Sequence, residues 1–433
     1  MPEVALKPKA IHWTALVLLV ISVCINYADR TNLSVAANNL QHDLHIGQQE
    51  LGALLGGFFW TYGLFQLVAG KVIEKFNVLW VLAAGYFLWS AATAATGLGT
   101  GIASILAFRL VLGVGESIAY PAYSKIIAES FPEGLRGTAN AMIDAGSKMG
   151  PAIGVLAGVT LVGLFGWRGM FLAVGMVSLL WLVPWTVVIP RLPLREVEAL
   201  EPTPPTYVEL LGKRAVWGTI LGLVGANYTW YFYLNWLPYY FEHERHYSHE
   251  KLAVLGSVPF LASAIASMLA GLFADWLIRR GGAPTRVRQA VITIGLAGCC
   301  LLMAAAMAVP PQFVLPLLTA AAALFGLFSS NHWALTQTLA GPQGAGKWTG
   351  LENCFGNVVG GVLAGWLPGF VVQVTHHFFY AFIIACVILL VSIAGFWFVI
   401  GKTTHVVWAA ELAATAPPQV QPFQNNSASD RRT

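Results

Sequence analysis

The stretch Ile25-Asn26-Tyr27-Ala28-Asp29-Arg30-Thr31-Asn32-Leu33 places an acid beside a base inside the first long apolar run, residues 11–40. An ionised side chain at the centre of a membrane helix costs about 2.5–3.5 kcal/mol by insertion scales. A helix that only had to cross a membrane would not carry Asp29 and Arg30 together. The stretch therefore predicts a polar site in the interior of a membrane protein.

The composition of the whole chain is that of a polytopic membrane protein. Of its 433 residues 57% are hydrophobic and 10% charged, and the mean hydropathy is +0.67, whereas an ordinary soluble domain is about 25% charged. The net charge of +4 is interpreted as loop topology, so nucleic acid is not expected as a partner. The first apolar run is longer than a signal-peptide core and contains Asp29 and Arg30, so we expect no cleavable signal peptide.

Apolar runs of about 20 residues predict an all-α protein of twelve transmembrane helices. The predicted spans are 11–40, 50–69, 78–98, 101–129, 137–164, 169–190, 214–241, 252–278, 287–308, 312–339, 347–374 and 377–400. A charged, proline-rich break divides them, which gives five segments. These are a cytoplasmic amino terminus (1–10), an amino-terminal six-helix bundle (11–190), a cytoplasmic linker (191–213), a carboxy-terminal six-helix bundle (214–400) and a disordered cytoplasmic tail (401–433).

The distribution of basic residues predicts that both termini are cytoplasmic. Of the 24 Lys and Arg, three fall in predicted outer loops (Arg168, Arg245 and Lys251), four fall within spans (Arg30, Arg109, Lys125 and Lys148), and the other 17 fall at the inner side. This is the bias of the positive-inside rule.

Two patterns recur in both halves. An acid follows a glycine by four residues after the second span (Gly70 to Glu74) and after the eighth span (Gly271 to Asp275). Glycines at spacing four occur in the fifth span (Gly146, Gly150, Gly154 and Gly158), and a similar ladder occurs in the eleventh (Gly356, Gly360 and then Ala364). Small-residue ladders let helix backbones approach closely. Two repeated halves around a site at the membrane midplane are typical of transporters.

Several motifs resemble the major facilitator superfamily. The loop Gly271-x-x-x-Asp275-x-x-x-Arg279-Arg280-Gly281 resembles its cytoplasmic motif between helices 8 and 9. Three further motifs are similar to its anion:cation symporter branch: Asn26-Tyr27-x-Asp29-Arg30-x-Asn32, Arg109-x-x-x-Gly113-x-Gly115-Glu116 and Gly166-Trp167-Arg168. That branch includes bacterial sugar-acid permeases such as the D-galactonate transporter, and the sialin and vesicular glutamate carriers.

The resemblance covers roughly residues 11–400 and implies roles for individual residues. It implies proton coupling through Asp29 and Glu116, with Arg30, Arg109 and Tyr27 around the site. It also implies that the loops carrying Glu74, Asp275 and Arg279 act in gating.

The residue types in the first half indicate an anion site independently of the resemblance. Arg109 and Glu116 are seven residues apart, so they share one face of a helix. Burial favours the protonated form of a carboxyl group such as Glu116, as a reversible proton carrier needs. Arg30 offers a planar fork to a substrate carboxylate, and Arg109 either does the same or acts as counter-ion. The alternative is that Asp29 and Glu116 are held in structural ion pairs.

Lys148 has two interpretations. Its i,i+4 spacing from Asp144 allows a plain intrahelical salt bridge. If it faces the cavity instead, the site holds a second fixed positive charge, which favours a dianion or an aromatic carboxylate over a simple aldonate.

The second half offers neutral polar and aromatic groups. The candidates for contact with substrate hydroxyls are Tyr228, Tyr231, Asn331, Trp333, Asn353 and Asn357. The alternative for the aromatic residues is an interfacial belt or helix packing. His332 is a possible titrating group, and Glu352 is expected to be gating or structural.

The sequence thus predicts a proton-coupled importer of an organic anion, most simply a sugar acid, which works by alternating access. The alternatives are an importer of an aromatic or dicarboxylic acid, and a facilitative or antiport carrier without proton coupling. An enzyme is disfavoured, because the chain contains no phosphate-binding glycine loop, nucleophile elbow or metal-ligand cluster. We expect no cofactor besides protons, a lipid bilayer as environment, a monomer, and a plasma-membrane location, in a bacterium the inner membrane.

Overall fold

The structure is a computed structural model and describes residues 9–131, 133–193, 205–401 and 406–409. The side chains at 67, 71, 74, 128, 133–138, 342, 343 and 345 are not part of this description. Residues 194–204 of the predicted linker and residues 402–405 and 410–433 of the predicted tail lie outside the described residues, as does the side chain of Glu74.

The described residues form helices throughout and contain no strand. The first half contains α1 (Ala10–Val35), α2 (Ala37–Leu44), α3 (Gln48–Lys75), α4 (Val78–Thr96), α5 (Ile102–Glu116), α6 (Ala119–Ser130), α7 (Glu133–Leu179) and α8 (Leu182–Val188). The second half contains α9 (Tyr207–Leu211), α10 (Arg214–His243), α11 (His249–Leu255), α12 (Val258–Arg279), α13 (Pro284–Ala306), α14 (Pro311–Phe355), α15 (Val362–Thr375) and α16 (Phe378–Ala394). A π-helical segment, Gly356–Gly361, joins α14 to α15, and a second one, Gly395–Val399, follows α16.

Nine helical segments in the described ranges are long and apolar enough to cross a membrane. Helices α3 and α10, which correspond to the predicted second and seventh spans, are 28 and 30 residues long but are not among the nine. In α10 the run from Asn227 to Trp236 carries polar and aromatic residues, which lower the hydropathy of this helix.

The long helix α7 consists of two helices that meet at a glycine. Gly166 has a φ of 67°, in the left-handed region that favours glycine. Just after it, the indole of Trp167 binds Asp43 near the start of α3, whereas the indole of Trp181 donates to the carbonyl of Leu18 in the first half of α1. The part of α7 after Gly166 therefore runs back along α1. Gly341, with a φ of 65°, is the corresponding break within α14.

The glycine ladder of α7 lets it lie directly against α1. A Cβ added at Gly150 would lie 2.6 Å from the Cβ of Tyr27, and one added at Gly154 would lie 2.8 Å from the Cα of Ala28. In the second half, a Cβ at Gly360 would lie 3.2 Å from the Cβ of Asn227 in α10. Each ladder thus packs on the first long helix of its own half.

The two halves meet closely at the end of the bundle where α1 finishes, which we call the Val35 end. There the amide of Gln49 donates to Oε1 of Gln373 at 2.8 Å, and the hydroxyl of Tyr239 donates to Oε1 of Gln41 at 2.6 Å. These hydrogen bonds join α2 and α3 to α10 and α15. The opposite end, where α1 begins, is called the Ala10 end.

Candidate functional site

Arg30 is the centre of a buried polar cluster. Its side chain is 2% exposed. Nε lies 3.0 Å from Oε2 of Glu116, Nη2 donates to Oδ1 of Asn26 at 3.1 Å, and Nη1 donates to the hydroxyl of Tyr231 at 3.3 Å. The guanidinium therefore contacts α1, α5 and α10, and joins both halves of the molecule.

Aromatic rings surround the same guanidinium. Its central carbon lies 4.4 Å from the ring centroid of Tyr27, 4.5 Å from that of Tyr62 and 5.1 Å from that of Phe58. Such contacts attract a cation by about 0.5–2 kcal/mol each. They help to keep Arg30 charged in an apolar interior and fix the plane of its fork.

The second half reaches Arg30 through a hydrogen-bonded chain. The hydroxyl of Tyr231 donates to Oδ1 of Asn357 at 2.8 Å, and Nδ2 of Asn357 donates to the carbonyl of Asn353 at 2.7 Å. Asn357 belongs to the π-helical segment after α14, and such segments occur frequently at functional sites. Three of the residues predicted in this half therefore lie together at the centre of the protein.

Asp29 does not pair with its neighbour Arg30. Consecutive residues of an α-helix point about 100° apart, because one turn holds 3.6 residues. Oδ1 of Asp29 accepts from Nδ2 of Asn32 at 3.1 Å, and Asp29 forms no ion pair with any described residue. The ion pair that does form is Arg30–Glu116, which matches the structural alternative for Glu116 and not for Asp29.

Arg109 lies beside this pair. It is 2% exposed, and its guanidinium carbon lies 5.3 Å from the Phe58 ring that Arg30 also approaches. No described acid lies within ion-pair distance of Arg109, and its Nε has no hydrogen-bond partner among the described residues. A second buried positive charge is therefore held near the first with part of its hydrogen-bonding capacity unused.

Two buried carboxylate oxygens also have spare capacity. Oε1 of Glu116 and Oδ2 of Asp29 have no hydrogen-bond partner of normal geometry in the described part of the chain. Buried polar atoms are nearly always hydrogen-bonded, so such atoms call for an explanation. A proton that binds to the carboxyl group, or a polar ligand, would provide the missing partner.

Lys148 contacts both an acid on its own helix and a residue of the other half. Nζ lies 2.6 Å from Oδ1 of Asp144 and 3.2 Å from the hydroxyl of Ser329 in α14. The intrahelical salt bridge is present, yet the ammonium also reaches the other half of the protein. The side chain of Lys148 is 8% exposed and that of Asp144 is 43% exposed, so the cation is the inner member of the pair.

Three other predicted binding residues are Tyr228, Asn331 and Trp333. Tyr228 is buried and its hydroxyl has no hydrogen-bond partner among the described residues. Nδ2 of Asn331 donates to the carbonyl of Leu327 on its own helix at 3.0 Å. The ring of Trp333 meets the ring of His332 edge-on at 4.8 Å. No described contact joins any of these three residues to Arg30.

The predicted gating residues stay predictions. Asp275 lies 3.8 Å from Arg288 at the start of α13, and Arg279 is exposed and forms no ion pair with Asp275 in the described part. The contact between Asp275 and Arg288 joins α12 to α13 at the Ala10 end.

Three partners of Arg30 are not among the residues that the sequence predicts for the site. Asn26 belongs to the motif of α1, and Phe58 and Tyr62 belong to α3. Their spacing of four residues puts both rings on one face of α3, which is the pattern that could have identified them.

A second polar cluster lies at the Val35 end. Oδ2 of Asp43 accepts from the indole of Trp167 at 2.9 Å and from Nη1 of Arg168 at 3.0 Å. The hydrogen bond from Trp167, and then the contact with Arg168, hold the pKa of the Asp43 carboxyl below its usual value. This cluster ties α2 to the Gly166 break of α7.

No group of three or more His, Cys, Asp and Glu that could hold a metal ion occurs among the described residues.

The chain is similar to known proteins in both sequence and fold. A family profile of the Major Facilitator Superfamily matches residues 19–362. A probable L-galactonate transporter of Escherichia coli is 29% identical over 398 residues, which cover 87% of this chain and 86% of that protein. A probable galactarate/D-glucarate transporter of Bacillus subtilis is 26% identical over 432 residues and covers 93% and 94%.

The fold also matches a solved structure. A bacterial homologue of the human lysosomal transporter Spinster, in an inward-facing and occupied conformation, superimposes with a TM-score of 0.78 at 16% identity and covers 90% of this chain and 97% of that one. The predicted family is confirmed, and with it a multi-pass membrane transporter rather than an enzyme. The chain belongs to the Major Facilitator Superfamily.

Proposed function

We propose that the protein is a proton-coupled symporter that imports a sugar acid or a related carboxylate. The observation that carries the proposal is the buried Arg30–Glu116 ion pair, 3.0 Å long, at the point where both halves meet. The curated relatives named as galactonate and galactarate/glucarate transporters support the choice of substrate class.

The geometry suggests how proton and anion binding are linked. The carboxylate of Glu116 occupies one edge of the Arg30 fork, where a substrate carboxylate would bind in the same way. Protonation of Glu116 removes the competing negative charge and frees the guanidinium for the substrate. Asp29, whose carboxyl lies outside this ion pair, is the second candidate to carry a proton. Binding of the anion and binding of the proton then support each other.

The proposed topology has twelve spans with both termini in the cytoplasm. It takes the nine apolar segments, adds α3 and α10, and divides the segment Ala139–Arg191 at Gly166. The Ala10 end is then cytoplasmic and the Val35 end faces outward. The halves 11–190 and 214–400 move around the central site as a monomer in the plasma membrane, and the loops with Glu74, Asp275 and Arg279 act as gates.

In the proposed site, each half recognises a different part of the substrate. Arg30 and Arg109 hold the carboxylate, with Tyr27 beside them, and the neutral groups of the second half bind hydroxyls. These groups are Tyr228, Tyr231, Asn331, Trp333, Asn353 and Asn357. Lys148 lies within reach of Ser329 in the other half, and there it adds a further positive charge that favours a dianionic sugar acid over a monoanionic one.

Proton coupling also explains accumulation against the membrane potential. Moving one negative charge into a cell at 100 mV costs about 2.3 kcal/mol, and each proton that enters with the substrate offsets this amount. An uncoupled or antiport carrier lacks this drive.

The test is uptake of labelled galactonate and glucarate by purified protein in liposomes, with and without an inward proton gradient. We expect the gradient to drive accumulation in the wild type and to drive it less in Glu116→Gln. The matched control is Glu129→Gln, which removes a half-buried carboxyl at the end of α6 and should respond as the wild type does. Uptake that ignores the gradient, or an unchanged response in Glu116→Gln, would contradict proton coupling.

A further inference from the structure

A second buried acid–base pair lies in the second half of the protein. His332 and Glu352 belong to α14, on either side of the break at Gly341. Both side chains are 0% exposed, and Nε2 of His332 lies 3.4 Å from Oε2 of Glu352. The proposed function makes no use of this pair.

The carboxylate of Glu352 is held by neutral donors. The indole of Trp348 donates to Oε1 at 2.8 Å, and the hydroxyl of Thr336 lies 3.1 Å from each oxygen. The same indole also lies 2.9 Å from the hydroxyl of Thr219, so α10 contributes to the arrangement. These donors fix the position of the carboxylate without adding a charge.

The imidazole of His332 has an apolar surrounding apart from Glu352. Its ring stacks on Phe328 with centroids 5.0 Å apart, and the ring of Phe396 approaches at 5.8 Å. Neither nitrogen makes a hydrogen bond of normal geometry to any described residue. The carboxylate is thus the one described charged group within ion-pair distance of this imidazole.

The charged groups on the surrounding elements have other partners. Lys347 donates to the carbonyl of Pro205, Lys213 to that of Val407, Arg214 to that of Phe398, and Arg288 lies near Asp275. Arg286 lies over the ring of Trp397, and Glu209 accepts from the amide of Ala409. The polar group of α13 near Phe396 is the neutral amide of Gln289. None of them forms a described ion pair with His332 or Glu352.

Because no other described charged group pairs with His332 or Glu352, burial determines how many protons the pair holds. With one proton shared between carboxyl and imidazole the pair is neutral or an internal ion pair, and either state suits an apolar interior. Removing that proton, or adding a second, leaves a net charge that burial strongly disfavours. In water an imidazole changes its charge between about pH 5 and 8. Hydration removes the penalty that burial places on the net-charged states of the pair.

The pair is also connected to the central site. Glu352 lies on the helix that continues into the π-helical segment, where Asn357 holds Tyr231 and through it Arg30. Asn357 follows Glu352 by five positions. A movement of this helix when the central site binds substrate would therefore change the surroundings of Glu352.

From this geometry we infer that His332 and Glu352 form a second proton-binding site, loaded and emptied in each transport cycle together with the Arg30–Glu116 site. The inference rests on the proposed function, because it assigns a further coupling proton to the same carrier.

The test is the number of protons moved with each substrate, measured from the reversal of substrate flux against imposed proton gradients in liposomes. This ratio is thermodynamic, so it does not depend on how fast a variant works. We expect the ratio to be lower by one in His332→Gln and in Glu352→Gln. His249→Gln, an exposed histidine, and Thr336→Val, which keeps both titratable groups, should have the wild-type ratio.

The outcomes separate the two proposals. A wild-type ratio of zero would overturn proton symport and the second site together. A coupled wild type whose ratio is unchanged in both pair variants would overturn the second site alone. If neither pair variant folds, the double variant Asp29→Asn/Glu116→Gln decides the question. This variant keeps His332 and Glu352, so the second site predicts that one proton per substrate is still transported. A ratio of zero in the double variant would contradict the second site.

Discussion

At the residue scale, the adjacent side chains of Asp29 and Arg30 have different partners and do not pair with each other. Arg30 turns toward Glu116, Tyr231 and Asn26, whereas Asp29 binds Asn32. A guanidinium that is satisfied from both halves can exchange one internal partner for a substrate carboxylate without losing the others. In the proposed mechanism the exchangeable partner is Glu116, since its charge can be removed by a proton.

The fork of Arg30 is the basis of the first prediction. Arg30→Lys keeps the charge but loses the planar, bidentate geometry. We expect the affinity for sugar acids to fall by about 10-fold or more, because a hydrogen bond to a charged group contributes about 1.5–3 kcal/mol. Isothermal titration of the purified protein measures this change. Arg168→Lys, at the Val35 end of the protein, is the control, and an unchanged affinity in Arg30→Lys would remove Arg30 from the substrate site.

Lys148 provides a prediction about specificity. If its ammonium reads a second carboxylate, Lys148→Gln should weaken binding of a dicarboxylate such as galactarate more than binding of galactonate. The ratio of the two dissociation constants is the measurement, so a general loss of stability does not imitate the effect. An unchanged ratio would leave Lys148 with its structural partners Asp144 and Ser329.

At the element scale, the close contact between α1 and α7 places the whole cluster. The glycine ladder brings the backbone of α7 against α1 at Tyr27 and Ala28, one turn from Arg30. In a membrane, where apolar surface gives no driving force between helices, such close backbone packing holds helices together.

Gly150→Ala tests this contact. Its new Cβ would lie 2.6 Å from the Cβ of Tyr27, so α1 must shift, and we expect both the melting temperature and the substrate affinity to fall. Gly163→Ala is the matched control on the same helix, since a Cβ there has no neighbour within 4 Å. Removing a helix glycine at an open position should raise stability by about 0.5–1 kcal/mol. Equal effects of the two changes would contradict the ladder's role.

The cluster of Asp43, Trp167 and Arg168 predicts a pH dependence. Because its pKa is lowered in the folded protein, Asp43 contributes stability above the pKa of the unfolded chain, about 3.9. That contribution is lost as the pH falls through the lower folded-state value. Asp43→Asn should therefore lower the melting temperature at neutral pH and have little effect at the acid end of this range. If Asp43→Asn changes the melting temperature by the same amount at neutral and at acid pH, this contribution is contradicted.

At the scale of the whole molecule, the sequence allowed the family, the helical architecture and most of the central site to be predicted. Apolar runs and the spacing of glycines depend on local physics, which a single sequence displays directly. The pairing of Arg30 with Glu116 rather than Asp29 depends on the rotation of α1 against α5. The contacts of Tyr62 and Phe58 with Arg30 depend on the position of α3. The pairing of His332 with Glu352 depends on the break at Gly341. Such relations arise from tertiary packing, and the four-residue spacing of Phe58 and Tyr62 indicates only that their rings share one face of α3.

The central claim is that a proton on Glu116 frees Arg30 for the substrate, and the most direct measurement is substrate affinity in the purified protein as a function of pH. Linkage makes the affinity change by up to about tenfold per pH unit for each proton taken up on binding. We expect galactonate or glucarate to bind more tightly as the pH falls in the wild type, and with a shallower dependence in Glu116→Gln. Identical pH dependence in the two proteins would contradict the claim.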